Sequence, residues 1–159
     1  MVLASSNRLT GCYPAAEIVA PEMPPRPDGL YGVSKVAVEA LARLYADKFG
    51  LSVVCLRIGS LEDEPGEVRH LATWLSPRDC AGFVLASLTA PDIGFAAFYA
   101  VSANSRRFWK LPDEIGYMPR DDAERYADRF PDADAFFAGR GPQGGDYAAA
   151  DYTLRHITS

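Results

Sequence analysis

The chain has 159 residues, 48% of them apolar and 23% charged, with 16 Lys+Arg against 21 Asp+Glu for a net charge of −5. That length suits one domain, and the composition excludes wholesale disorder. A mildly acidic chain lacks the footprint of a nucleic-acid binder or a membrane-surface helix, and no apolar run approaches the roughly 20 residues of a membrane span.

No charged segment leads into a long apolar stretch at the N-terminus, so a secretory signal is not expected. Cys12, Cys55 and Cys80 are odd in number and widely spaced. They point to reduced thiols in a cytoplasmic setting rather than to disulfides or zinc.

Met1-Val2-Leu3-Ala4 runs into Ser5-Ser6-Asn7 and reads as a buried strand emerging into a polar loop. Residues 11–28 hold five prolines and predict an extended surface loop. A helix follows, with Asp28 as its cap and Gly50 just past its end. Val33, Ala37, Ala40, Leu41, Leu44 and Tyr45 form its apolar stripe, and Glu39 can pair with Arg43 one turn on. The β-branched run Ser52 to Gly59 predicts a strand covered on both faces, as in a parallel sheet. Helix, tight turn and buried strand make half of a βαβ unit.

Ser76-Pro77-Arg78-Asp79 has the form of a capping box and opens a helix to about Leu88. Gly94 to Val101 reads as another strand, and residues 106–130 as one or two short amphipathic helices. The tail from Gly139 is Gly-rich and expected to be weakly structured. Its Gly139-Arg140-Gly141-Pro142-Gln143-Gly144 matches G-x-G-x-x-G literally. A dinucleotide fingerprint must follow a strand and open a helix, so this one is a loop.

Tyr31 and Lys35 stand four residues apart on the predicted helix, so their side chains rise from one face. A phenol ordinarily titrates near pH 10, and a fixed cation beside it favours the phenolate, the form that acts as a base. Y-x-x-x-K alone is two common residues one turn apart on a solvated helix. Here Ser5-Ser6 lies 25 residues upstream of the tyrosine at a strand's carboxyl end, where ligands sit in open α/β sheets.

On Ser5-Ser6, the proline-rich loop, Tyr31-Gly32-Val33-Ser34-Lys35 with Glu39, and Leu56-Arg57-Ile58-Gly59, the chain resembles the extended short-chain dehydrogenase/reductases of the NAD-dependent epimerase/dehydratase group. With Val68 to Asp79, Ser6-Asn7 and Ser60, it is most similar to members that oxidise hexuronates. The resemblance runs to about Tyr126.

It implies an α/β fold: the C-terminal half of a doubly wound, Rossmann-type parallel sheet over residues 1–103, with a small helical substrate region over 104–159. The implied roles follow. Tyr31 is the base at the sugar's C1 hydroxyl. Lys35 favours the phenolate and bonds the nicotinamide ribose, and Ser6 orients the reacting oxygen. Asn7 and Ser60 hold sugar hydroxyls, Ile58 lies against the nicotinamide, and Arg69 holds the substrate carboxylate with its planar fork. The implied reaction takes galacturonate or glucuronate and NAD to an aldarolactone, by a cytoplasmic enzyme, with a homo-oligomer as a possible assembly.

Arg8 follows Asn7 where closely similar sequences lead one to expect histidine. His70 and His156 read as structural, and Trp74 and Trp109 as packing residues. The glycine-rich phosphate loop and the elements of the first half-domain are not found before Met1, so the expectation is a truncated chain that binds NAD weakly, exposes sheet edges and tends to associate. Two alternatives stand beside this reading: a nucleotide-sugar epimerase or dehydratase of the same group, and a non-catalytic remnant. The former needs a sizeable C-terminal domain, and only about 100 residues follow Gly59.

Overall fold

Three parallel strands carry the site: β1 (Val2–Ser6), β2 (Val53–Ile58) and β5 (Phe95–Ala100), in the order β1-β2-β5. They are seen in a computed structural model that describes every residue except 92, 113, 114, 140, 158 and 159, and side chains up to residue 154. The register sets Ser6 beside Ile58 and Ile58 beside Ala100, so the carboxyl ends of all three strands finish level. The mixed α/β class and the parallel sheet are as expected.

Helix α1 (Leu30–Phe49) crosses from β1 to β2 and ends at Gly50, whose φ of +66° only glycine adopts without strain. A short parallel pair, β3 (Ser60–Leu61) and β4 (Trp74–Leu75), flanks the one-turn helix α2 (His70–Thr73). Helix α3 (Pro77–Thr89) then leads to β5. Beyond the sheet come a 3-10 segment Ala123–Arg129, helix α4 (Ala133–Ala138), a 3-10 turn Gly145–Ala148 and helix α5 (Ala150–Ile157). No helix among the described residues is long and apolar enough to cross a membrane.

One face of the sheet buries Val54, Leu56, Phe98 and Ala100 against Leu75 and Phe83. Tyr13, Val19, Tyr99, Val101, Phe108 and Trp109 form a second cluster, with Tyr99 stacked on Trp109 at 5.1 Å between centroids. The proline-rich loop is therefore half interior: Pro14, Pro24 and Pro25 are exposed while Tyr13 and Val19 plug the core. Trp74 and Trp109 are fully buried, as packing residues should be.

Several local expectations are corrected. Asp28 does not cap α1; Gly29 occupies that position, and the Asp28 carboxylate turns inward to Arg8. Glu39 does not pair with Arg43. It is buried and faces Arg57 of β2, while Arg43 reaches Asp47. The anticipated apolar stripe of α1 is exposed (Val33 50%, Leu41 55%), because the helix is buried through Gly32 on the Asn7–Thr10 turn and through Glu39 and Ala42 on the sheet instead. Among the described residues, β1 pairs on one side only, so the helix above it has no neighbour on that flank.

Ser76 caps α3, accepting from Asp79 N–H at 3.0 Å, but the box is not reciprocal. Asp79 turns away to accept from Tyr117 and from the Arg120 and Asp121 amides. The described residues of 106–130 hold one 3-10 segment and otherwise irregular chain, and those of the tail include a 3-10 turn and a helix. His70 is structural: its Nδ1 accepts from Gly66 N–H at 3.1 Å. His156's side chain and Arg140 lie outside the described residues.

Candidate functional site

The site candidates gather at the carboxyl ends of β1 and β2. Ser6 is buried at the last position of β1, and its Oγ accepts from Arg8 N–H at 3.2 Å, turning the chain into the 3-10 segment Asn7–Thr10. Asn7 is buried in that turn. Helix α1 lies directly on it. A Cβ on Gly32 would collide with the Arg8 carbonyl oxygen, so only glycine lets the helix come this close.

That contact sets Tyr31 beside Arg8, where both line one cleft of about 240 Å³ with Leu30, Tyr152 and Thr153. One turn on, Lys35 Nζ donates to the Ala4 carbonyl of β1 at 2.9 Å and lies 5.5 Å from the Tyr31 ring centre. Tyr31 and Lys35 thus share a face, and Lys35 is turned to β1, the strand that Ser6 ends. Tyr31 keeps half its surface exposed (54%) and is open to a ligand. Ile58, beside Ser6 in the register, is half-buried at the end of β2.

A buried polar network fixes this arrangement from beneath. Ser5 Oγ donates to Glu39 Oε1 at 2.6 Å, and Arg57 grips the same carboxylate through Nε and Nη2 at 3.0 and 2.8 Å. Arg57 also reaches Pro21 O and the Tyr99 hydroxyl, which bonds Thr10 at 2.8 Å. Burial works against the Arg57 cation, but the contacts to Glu39 outweigh it and hold its pKa above the ordinary value. Strands β1, β2 and β5, helix α1, the proline-rich loop and the Asn7–Thr10 turn are thus tied through one ion pair.

Ser60 and Arg69 are joined through Thr73. Ser60 Oγ and Thr73 Oγ1 lie 2.8 Å apart, and Thr73 Oγ1 donates to the Arg69 carbonyl at 3.3 Å. The Arg69 side chain is 7% exposed, donates from Nε to the Gln143 carbonyl at 2.7 Å, and has no ion pair among the described residues. It lines a second cleft, of about 390 Å³, with Glu67, Phe136, Gly145, Tyr147 and Tyr152. Burial lowers the Arg69 pKa against the pull of the Glu67 carboxylate, with the Arg8 cation adding to the lowering and Asp28 opposing it.

Tyr152 borders both clefts, and the Tyr147 ring lies 3.9 Å from the Arg8 guanidinium and 6.0 Å from that of Arg69. Arg8 itself is neutralised by Asp28 at 2.6 Å. Burial pushes the Asp28 carboxyl up against the pull of Arg8, and its Oδ1 has no partner among the described residues.

Sequence reasoning missed Asp28, Thr73, Gln143, Tyr147 and Tyr152. Gln143 sits in the loop that matches G-x-G-x-x-G only literally, and the last three come from the tail, whose path over the site depends on tertiary contacts alone.

The NAD dependent epimerase/dehydratase family matches residues 1–90. The uronate dehydrogenase of Agrobacterium fabrum is 43% identical over 128 residues, covering 79% of this chain and 48% of the relative. Among solved structures, a mutant uronate dehydrogenase of Agrobacterium tumefaciens complexed with NAD superposes with a TM-score of 0.81 at 36% identity, over 92% of this chain and 58% of that one. A glucuronic acid dehydrogenase of Chromohalobacter salexigens gives 0.85 at 35% identity, over 96% and 60%. The chain spans about half the length of the curated relatives it matches.

Proposed function

The chain belongs to the NAD dependent epimerase/dehydratase family, and on that premise we propose that it carries the proton-abstracting and sugar-binding part of an NAD-dependent uronate dehydrogenase. The observation that carries this reading is Arg69, a buried cation without an ion pair among the described residues, opening on a cleft that borders the one lined by Tyr31. An unpaired buried charge costs several kcal/mol, on the order of 3–5 when a partner is lacking. A carboxylate ligand removes that penalty.

The hexuronate lies with its carboxylate on Arg69 and its C1 hydroxyl towards Tyr31. Ser6 and Asn7, at the end of β1, and Ser60, on the Thr73 side, hold the oxygens between. Tyr31 takes the C1 hydroxyl proton, with Lys35 as the cation that favours the phenolate and Ser6 orienting the oxygen. The C1 carbon becomes a carbonyl, so the product is an aldarolactone.

The described residues fit the nicotinamide end of NAD: half-buried Ile58 gives an apolar surface at the end of β2, and Lys35, held against β1, is the group for the ribose. NAD, when bound, supplies the hydride acceptor. Among the described residues none forms a glycine-rich strand-to-helix turn for the pyrophosphate; β1 leads instead into the proline-rich loop.

The test joins the chain to the N-terminal half of the Agrobacterium fabrum relative and follows NADH formation with galacturonate. Turnover that drops by about 10²–10⁴ in Tyr31→Phe supports the reading. A folded chimera that oxidises galacturonate equally well after the Tyr31→Phe substitution would refute it.

A further inference from the structure

The tail segment Gly141–Gly144, whose glycines imitate a dinucleotide fingerprint, is bound to the proline-rich loop. Ala15 N–H donates to Gly141 O at 2.9 Å, Gln143 N–H to Tyr13 O at 2.8 Å and Gly144 N–H to Gly11 O at 2.7 Å. The Gln143 side chain is 1% exposed, and its Nε2 donates to Pro14 O at 3.2 Å and Glu17 O at 2.7 Å. Main chain and side chain of this one residue are both fixed. Its carbonyl then has a set direction, and it accepts from Arg69 Nε at 2.7 Å.

This contact determines which edge of the guanidinium a ligand can use. A guanidinium offers a side edge, Nε with one Nη, and an end edge, Nη1 with Nη2. With Nε committed to Gln143, the side edge is closed and the end edge remains. The Arg69 carbonyl is held as well, by Thr73 N–H at 3.2 Å and Thr73 Oγ1 at 3.3 Å, so the side chain is anchored at both ends.

We propose that Gln143 is a positioning residue that turns Arg69 end-on to its cleft and so makes that cleft selective for a planar carboxylate. Two parallel N–H groups match the two oxygens of a carboxylate, whereas a sugar hydroxyl uses one. The inference rests on the reading of Arg69 as the anion-binding group. It adds a specificity element from the tail, far in sequence from the rest of the site.

The experiment uses the 159-residue chain and two probes, galacturonate and the neutral sugar galactose, with binding followed by NMR. Arginine Nε–Hε exchange is recorded in the same samples. In the unmodified chain the Arg69 Hε is expected to exchange slowly and galacturonate to bind at least tenfold tighter than galactose. Gln143→Met keeps the volume and removes both amide donors. It is expected to speed Hε exchange and lower galacturonate affinity about tenfold, with galactose affinity unchanged, a pattern that loss of stability alone does not produce.

Arg69→Lys separates the two layers. If it abolishes the galacturonate preference while Gln143→Met leaves it intact, the positioning role is overturned and the anion site stands. A preference unaffected by Arg69→Lys overturns both, as does an unmodified chain with no preference. Should the Gln143→Met variant fail to fold, the unmodified chain still decides: an Arg69 Hε that exchanges as fast as those of exposed arginines overturns the proposal.

Discussion

Replacing Glu39 by leucine leaves the Arg57 guanidinium buried beside an apolar side chain. The two side chains are 10% and 8% exposed, and Glu39 receives three hydrogen bonds from Arg57, two of them shared by Nε, and one from Ser5. Hydrogen bonds to a charged group contribute about 1.5–3 kcal/mol each. Arg57 retains Pro21 O and the Tyr99 hydroxyl, so the loss falls at the lower end of the range for a broken buried pair, about 3–4 kcal/mol.

For a chain of this length that lowers the melting temperature by roughly 6–16 °C. Replacing both charges, Glu39→Leu with Arg57→Met, removes the stranded cation. It leaves only the Ser5 hydroxyl without its acceptor, a deficit of about 1–2 kcal/mol. Urea unfolding of the three variants measures these differences. A Glu39→Leu cost under about 1 kcal/mol, or a double variant as unstable as the sum of the singles, would refute the reasoning.

Arg69→Met is expected to stabilise the chain by about 1–2 kcal/mol, since it deletes a buried charge that has no ion pair among the described residues, and to abolish carboxylate binding; thermal melts and a galacturonate titration check both. Gly32→Ala drives a methyl into the Arg8 carbonyl and is expected to cost about 1–3 kcal/mol, with amide shifts in an NMR spectrum concentrated in residues 6–10 and 28–35. Burial raises the Asp79 pKa, but hydrogen bonds from Ser102, Arg120, Asp121 and Tyr117 outweigh it and hold the carboxyl below its ordinary value. Asp79 therefore contributes stability above an unfolded pKa of about 3.9, and that contribution is lost as pH falls through the lower folded value. Asp79→Asn should flatten the acid limb of the stability–pH curve, and an unchanged limb would contradict the assignment.

Much of the site was legible because its geometry is local. Tyr31 and Lys35 are one helical turn apart, Ser6 ends a strand, and the β-branched run of β2 announces a sheet covered on both faces. What escaped the sequence depended on the choice between local and distant partners. Asp28 has the residue type and position of a cap, yet Arg8 competes for it as a partly buried cation and wins. Glu39 and Arg43 have ideal helical spacing, yet a surface pair contributes a few tenths of a kcal/mol while Arg57 offers a bidentate partner in the interior. The exposed stripe of α1 fails for a different reason: periodicity reports an apolar face but not what lies against it. The tail carries the least local signal, and its Gln143 and Tyr147 reach the site only by packing on the proline-rich loop and on Arg8.

The account stands most directly on one sugar bridging Arg69 and Tyr31. A crystal structure of the chain soaked with galacturonate measures this. The expected result is the carboxylate end-on to Arg69 Nη1 and Nη2, with the C1 oxygen about 3 Å from the Tyr31 hydroxyl. A sugar bound with its carboxylate away from Arg69, or with C1 turned from Tyr31, would contradict it.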